Sequence, residues 1–131
     1  MPSSKIKLLI AEDDPFLEKA YKIKFEQEGF RVIMAANGMV ALDLARKEMP
    51  LLIILDLMLP KMNGFDVLEK IKKDEDLKNI PVIILSVLGQ KVDKEKALGL
   101  GAHEYLVKTD YTMEEIIEKI KAYCLKLGVK K

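Results

Sequence analysis

Three stretches of the chain, Leu8 to Ala11, Leu51 to Leu55 and Val82 to Leu85, are apolar at every position and too short to be helices. A strand with one wet face alternates polar and apolar residues, so strands apolar throughout must be covered on both faces, as in the interior of a parallel sheet. Phe30 to Ala36 and Glu104 to Val107 are further strand candidates of similar length. The intervals carry helical patterns: Pro15 to Glu28, Val40 to Glu48, Phe65 to Lys73 and Gln90 to Leu98. In the last pattern Met113, Ile116, Ile117, Ile120, Tyr123, Cys124 and Leu127 recur at helical steps and make one apolar stripe. Asp14 before Pro15 and Gly29 after Glu28 are start and stop signals in the right order. Repeated strand–helix units with short links pair in parallel through right-handed crossovers. The expected fold is therefore α/β, an open, doubly wound sheet of five parallel strands.

Composition limits what such a sheet can do. At 131 residues the chain suits one domain, and 22 basic residues against 21 acidic ones leave a net charge of +1. No overall field draws it to nucleic acid or to an anionic membrane, so the function is expected in a local site. Cys124 has no second cysteine to pair with, and Met1 to Lys7 carry no apolar leader, which makes a reducing, cytoplasmic setting the expectation.

Ligands of open parallel sheets sit beyond the carboxyl ends of the strands. Read at those ends, the first strand finishes in Glu12, Asp13 and Asp14, the third in Asp56, the fourth in Ser86 and the fifth in Lys108. Grouped carboxylates repel one another, and a hard cation such as Mg²⁺, which takes one or two carboxylates and keeps several waters, relieves that repulsion. Asp13 and Asp56 are the candidate ligands. An oxygen of Asp56 would remain free to attack an electrophile, with Lys108 and the Ser86 hydroxyl holding the oxygens of an incoming phosphoryl group. The product is an aspartyl phosphate.

Several neighbours have plainer readings. Asp14, directly before Pro15, is better placed as a helix cap than as a ligand. His103 has no metal-binding partner at usable spacing and reads as a packing or surface residue, while Cys124 lies on the apolar stripe and reads as core. Gly99 and Gly101 follow a helix, with Glu104 at the place of a third glycine, which rules out a dinucleotide loop.

Taken in register, these residues resemble the receiver domain of two-component response regulators. Leu8-Leu9-Ile10-Ala11-Glu12-Asp13-Asp14 is similar to the family's acidic first-strand motif, and Asp56-Leu57-Met58-Leu59-Pro60-Lys61-Met62-Asn63-Gly64 to its phosphoacceptor loop. Ser86 stands at the hydroxyl position, and Gly101-Ala102 through Tyr105 to Lys108 resembles the fifth-strand motif. The resemblance implies a flavodoxin-like (βα)5 sheet in the order 2-1-3-4-5, with residues 1–131 as a single receiver domain and a core of about 7–127. It implies that Asp56 accepts a phosphoryl group from a histidine kinase or phosphotransfer protein. It places Mg²⁺ on Asp13, Asp56 and the Met58 carbonyl, with Glu12 acting through water. Ser86 and Tyr105 then rearrange, and the surface of the fourth helix, fifth strand and fifth helix controls a downstream protein.

The resemblance thus implies a signalling switch, not an enzyme, that promotes its own aspartyl phosphorylation and dephosphorylation. Two departures from the family stand out: Thr109 replaces the usual proline after the lysine, and Val87 replaces a smaller residue beside the acceptor. Val87, Met58 and Leu88 together are expected to make the mouth of the site apolar. Ala102-His103-Glu104 lacks paired aspartates and the last helix lacks the arginine of the dimerising transcription-factor branch, so the resemblance favours a monomer. One alternative is a receiver cut from a longer DNA-binding regulator. Another, an aspartyl-phosphate phosphatase, generally needs a second aspartate where this chain has Met58.

Overall fold

The computed structural model describes residues 6–127. Most of Met1 to Lys7, read above for a leader, and the terminal Lys130 and Lys131 lie outside the described residues. The elements alternate as β1 (Lys7–Ala11), α1 (Pro15–Gln27), β2 (Arg31–Ala35), α2 (Gly38–Glu48), β3 (Leu52–Leu55), α3 (Gly64–Lys73), β4 (Val82–Ser86), α4 (Lys91–Gly99), β5 (Glu104–Val107) and α5 (Met113–Lys126), with a 3-10 turn at Lys108–Asp110. The strands form one parallel sheet in the order β2-β1-β3-β4-β5.

The apolar runs are explained by the pleat, because successive residues of a strand point to opposite faces. Leu9, Ala11, Ile53, Leu55, Val82 and Ile84 enter one core with Ala41 and Ala45 of α2, Leu68 and Ile71 of α3 and Ala97 of α4. Their neighbours Leu8, Ile10, Leu52, Ile54, Ile83 and Leu85 enter the other, with Tyr21 and Phe25 of α1 and Ile117 and Ile120 of α5. Cys124 is buried in this second core, and His103 is exposed with its ring edge-on to Tyr123, centroids 6.1 Å apart. Among the described residues no helix is long and apolar enough to cross a membrane.

Helix starts differ from the sequence reading, that of the second helix being set by a cap. The second helix starts at Gly38, before Val40, because the Asn37 Oδ1 accepts from the Val40 N–H at 2.9 Å and closes a first turn whose residues carry no apolar pattern. The fourth helix is Lys91–Gly99, has no side-chain cap bond at its N-terminus, and buries only Ala97. It buries fewer residues than any other helix of the five.

The last helix is the opposite case. Thr112 Oγ1 accepts from the Glu115 N–H (3.1 Å) while Glu115 Oε1 accepts from the Thr112 N–H (2.8 Å), a reciprocal capping box. Thr112→Ala should cost about 1 kcal/mol of global stability. Urea denaturation followed by circular dichroism measures it, and an unchanged midpoint would show that the box contributes nothing.

Candidate phosphoacceptor site

Parallel register brings the acidic strand ends side by side. Ala11 pairs with Leu55, and the Asp56 N–H donates to the Ala11 carbonyl at 3.1 Å, so Glu12 and Asp56 leave adjacent strands at the same level. Both are buried, at 3% and 6% exposure. Carboxylates withdrawn from water in this way need compensating charge and hydrogen bonds. Lys108 supplies the charge: at the end of β5 it reaches across β4, and its Nζ donates to Glu12 Oε1 and to Asp56 Oδ2, the latter at 2.9 Å. Burial by itself lowers the pKa of that ammonium, but hydrogen bonds to Glu12 and Asp56 and their charges outweigh burial and hold it above the ordinary lysine value.

The remaining oxygens are apportioned unequally. Asp56 Oδ1 accepts from the Met58 N–H (3.1 Å), and Glu12 Oε2 from the Asp14 N–H (3.1 Å). Asp14 turns away into the helix, its Oδ1 accepting from the N–H groups of Phe16 (2.8 Å) and Leu17 (3.2 Å), which is the cap read from the sequence. Asp13 is exposed, and Glu12, Asp13 and Asp56 each offer an oxygen within 4.8 Å of the others. Three carboxylates against one lysine leave excess negative charge on hard oxygen donors, a donor set that fits Mg²⁺.

Ser86, fully buried at the end of β4, accepts through Oγ from the Leu88 N–H at 3.2 Å. The half-buried Tyr105 donates its hydroxyl to the Leu88 carbonyl at 2.5 Å. Its pKa is raised by burial and by the charges of Asp93 and Asp56, with the Ser86 hydroxyl opposing the shift. One peptide residue, Leu88, thus joins the two expected switch side chains through its own backbone. Sequence reading missed that role, and no side-chain signal could have revealed it. Of the three residues expected at an apolar mouth, Met58 and Val87 are 54% and 52% exposed, whereas Leu88 packs against the core. Thr109 lies in the 3-10 turn, and no cis peptide bond occurs among the described residues.

The response regulator receiver domain family matches residues 8–121. The chain belongs to that family. This receiver is 39% identical over 116 residues to the DNA-binding dual master transcriptional regulator RpaA of Synechocystis, covering 88% of this chain and 48% of RpaA. It is 36% identical over 123 residues to the polar-differentiation response regulator DivK of Brucella anthropi, covering 94% of this chain and 97% of DivK. The chain thus spans about half the length of relatives such as RpaA and nearly all of DivK. The Francisella response regulator 1452 receiver domain superposes with a TM-score of 0.81 at 32% identity, over 90% of this chain and 95% of that one. The CheX-CheY complex of Borrelia burgdorferi with BeF3 and Mg²⁺ contains a similar chain, with a TM-score of 0.79 at 28% identity over 95% of this receiver and 90% of that chain. The receiver is accordingly a signalling module of a two-component system.

Proposed function

We propose that this receiver is switched by phosphorylation of Asp56. The observation that carries the reading is the convergence of Glu12, Asp13 and Asp56 within 4.8 Å, with Lys108 bonded to two of them. In this reading an oxygen of Asp56 attacks the phosphorus of a phosphohistidine on a kinase or phosphotransfer protein. The new O–P bond forms as the P–N bond breaks, and the donor imidazole leaves. Asp13 and Asp56, with the Met58 carbonyl, would hold Mg²⁺. Glu12 acts at one remove, because both its oxygens already accept from Lys108 and Asp14. Bound there, the cation offsets the mutual repulsion of the carboxylates and the charge of the incoming group. Lys108 and Ser86 hold the phosphoryl oxygens. Acetyl phosphate with Mg²⁺ tests the reading: the intact protein should gain the mass of one phosphoryl group, and a chain that gains none has another chemistry.

Output follows from the Leu88 link. A hydrogen bond from the Ser86 hydroxyl to a charged phosphoryl oxygen is stronger than the neutral bond that hydroxyl makes to the Leu88 N–H, so Ser86 is drawn toward Asp56. Leu88 is released on one side, and Tyr105, bonded to its carbonyl, repacks inward with it. The surface of α4, β5 and α5 then changes and meets a downstream protein partner of this monomeric switch. The shift is set by the differential interaction of the two states with the phosphoryl group, on the order of 1–3 kcal/mol in such couplings.

Beryllofluoride, a mimic of the aspartyl phosphoryl group, should move amide NMR signals of Leu88, Tyr105 and α4. Ser86→Ala should blunt those shifts while leaving the mimic bound. Shifts confined to the neighbours of Asp56 would move the output surface elsewhere. A reducing, cytoplasmic compartment accords with a chain whose one cysteine is buried in the core. A second reading, a receiver working within a longer DNA-binding regulator, is favoured by the similarity to RpaA, and the reading frame after the Lys131 codon decides it.

A further inference from the structure

Gly38 is the first residue of α2, and the N–H groups of a first helical turn have no partner within their own helix. Its N–H donates instead to the carbonyl of Pro60 in the loop after β3, at 3.2 Å. The same carbonyl accepts from the Met62 N–H at 2.8 Å, and Lys61 between them has φ 69°. An i to i+2 hydrogen bond around a non-glycine residue in the left-handed region is a rare, strained γ-turn. Such turns persist only where the surroundings over-determine them.

The surroundings here are Gly38. A Cβ on it would lie 1.8 Å from the Met62 carbonyl oxygen and 2.8 Å from the Met62 Cβ, so the helix end approaches the loop at a distance only glycine permits. At its other end the loop is closed by the Gly64 N–H on the Leu57 carbonyl at 2.9 Å. Between these two fixings runs Met58, whose N–H holds Asp56 Oδ1.

Resting on the reading of Asp56 as a phosphoacceptor served by Mg²⁺, we propose that Gly38 is a positioning residue of that site. By docking the end of α2 on Pro60 it keeps the turn at Lys61 closed, and the closed turn keeps the Met58 peptide in place against Asp56. Gly38 touches none of the reacting atoms. It acts through the loop, and the loop acts on the donors. The Asn37 cap, which shapes the first turn of α2, supports the same contact. Any side chain at position 38 must push the loop tip outward. Lys61 then relaxes to negative φ, and the run from Asp56 to Gly64 is respaced.

Mg²⁺ titration of the whole chain, followed by backbone-amide NMR, tests this. Gly38→Ala should fold and bind Mg²⁺ about tenfold more weakly, the scale of losses when a residue supporting metal ligands is changed. Its metal-free spectrum should differ at Met58, Lys61 and Met62 and match the parent in β5 and α5. Gly101→Ala is the control: Gly101 has φ 113°, which strains any side chain, and a Cβ there would lie 2.9 Å from Lys72 Cγ, a milder side-chain contact at a place that does not touch this loop. It should lose stability and keep the parent's affinity for Mg²⁺. Should Gly38→Ala not fold, Asn37→Ala loosens the same turn and should weaken Mg²⁺ in the same direction by less.

A folded Gly38→Ala that binds Mg²⁺ within about twofold of the parent overturns the proposal, as does Asn37→Ala at parental affinity when it stands in. Equal weakening by Gly101→Ala also overturns it, since the effect would then be general. A parent that itself binds no Mg²⁺ overturns the phosphoacceptor reading instead, and that result is read on the parent alone.

Discussion

Asp56→Asn should take up no phosphoryl group from acetyl phosphate and Mg²⁺ under conditions that load the parent with one. The loss should be complete, because an amide lacks the anionic oxygen that attacks phosphorus, and of the neighbouring acids only Asp13 is untied, which in this reading is committed to the cation. Glu12 is tied by Lys108 and the Asp14 N–H, and Asp14 by the N–H groups of Phe16 and Leu17. Folding should survive the change, since Asn is nearly isosteric and its one oxygen can still accept from one of the two donors, the Met58 N–H or Lys108, that Asp56 holds on separate oxygens. Intact mass before and after hydroxylamine, which cleaves acyl phosphates, is the measurement. A variant labelled as fully as the parent, or a label resistant to hydroxylamine, would falsify the assignment of Asp56.

Asp13→Asn should cause the largest loss of Mg²⁺ affinity among the first-strand acids, by about 100-fold. Its carboxylate is exposed beside Asp56 and free to bind the cation directly. Glu12→Gln should cost less for the metal, because Glu12 is already committed to Lys108 and the Asp14 N–H, although it leaves that lysine with half its pairing. Asp14→Asn should be nearly silent, since asparagine caps a helix about as well as aspartate. Mg²⁺ titrations of the three variants by NMR give the ranking. A largest loss at Glu12 or Asp14 moves the direct ligand off Asp13 and with it the register of the site.

Much of this was legible because it is local. The runs at Leu8, Leu51 and Val82 announce strands covered on both faces, and the intervening apolar stripes announce the covering helices. Asp14 before Pro15 reads as a cap from two adjacent residues, and it is one. The helix starts at Gly38 and Lys91 differ from the periodic pattern by two and one positions; at Gly38 the Asn37 cap hydrogen bond, which leaves no periodic trace, sets the start, and Lys91 has no side-chain cap to mark it. The acidic and basic positions at the strand ends could be grouped from topology alone, because in a parallel sheet all strands finish on one edge.

The sequence by itself determined the fold class, the edge on which the site lies and the residue types gathered there, because pleat, helical period and crossover handedness are properties of short segments of chain. Only the tertiary structure decided the partners. Whether Lys108 bonds Glu12 as well as Asp56 depends on the register of β1 against β3 and on how far a side chain reaches across β4. That Ser86 and Tyr105 meet through Leu88, and that α2 bears on Pro60 through Gly38, are matters of backbone atoms that every residue type carries alike. Contacts made by main-chain groups between distant segments have no letter in the sequence, and they arise when close packing fixes one backbone against another.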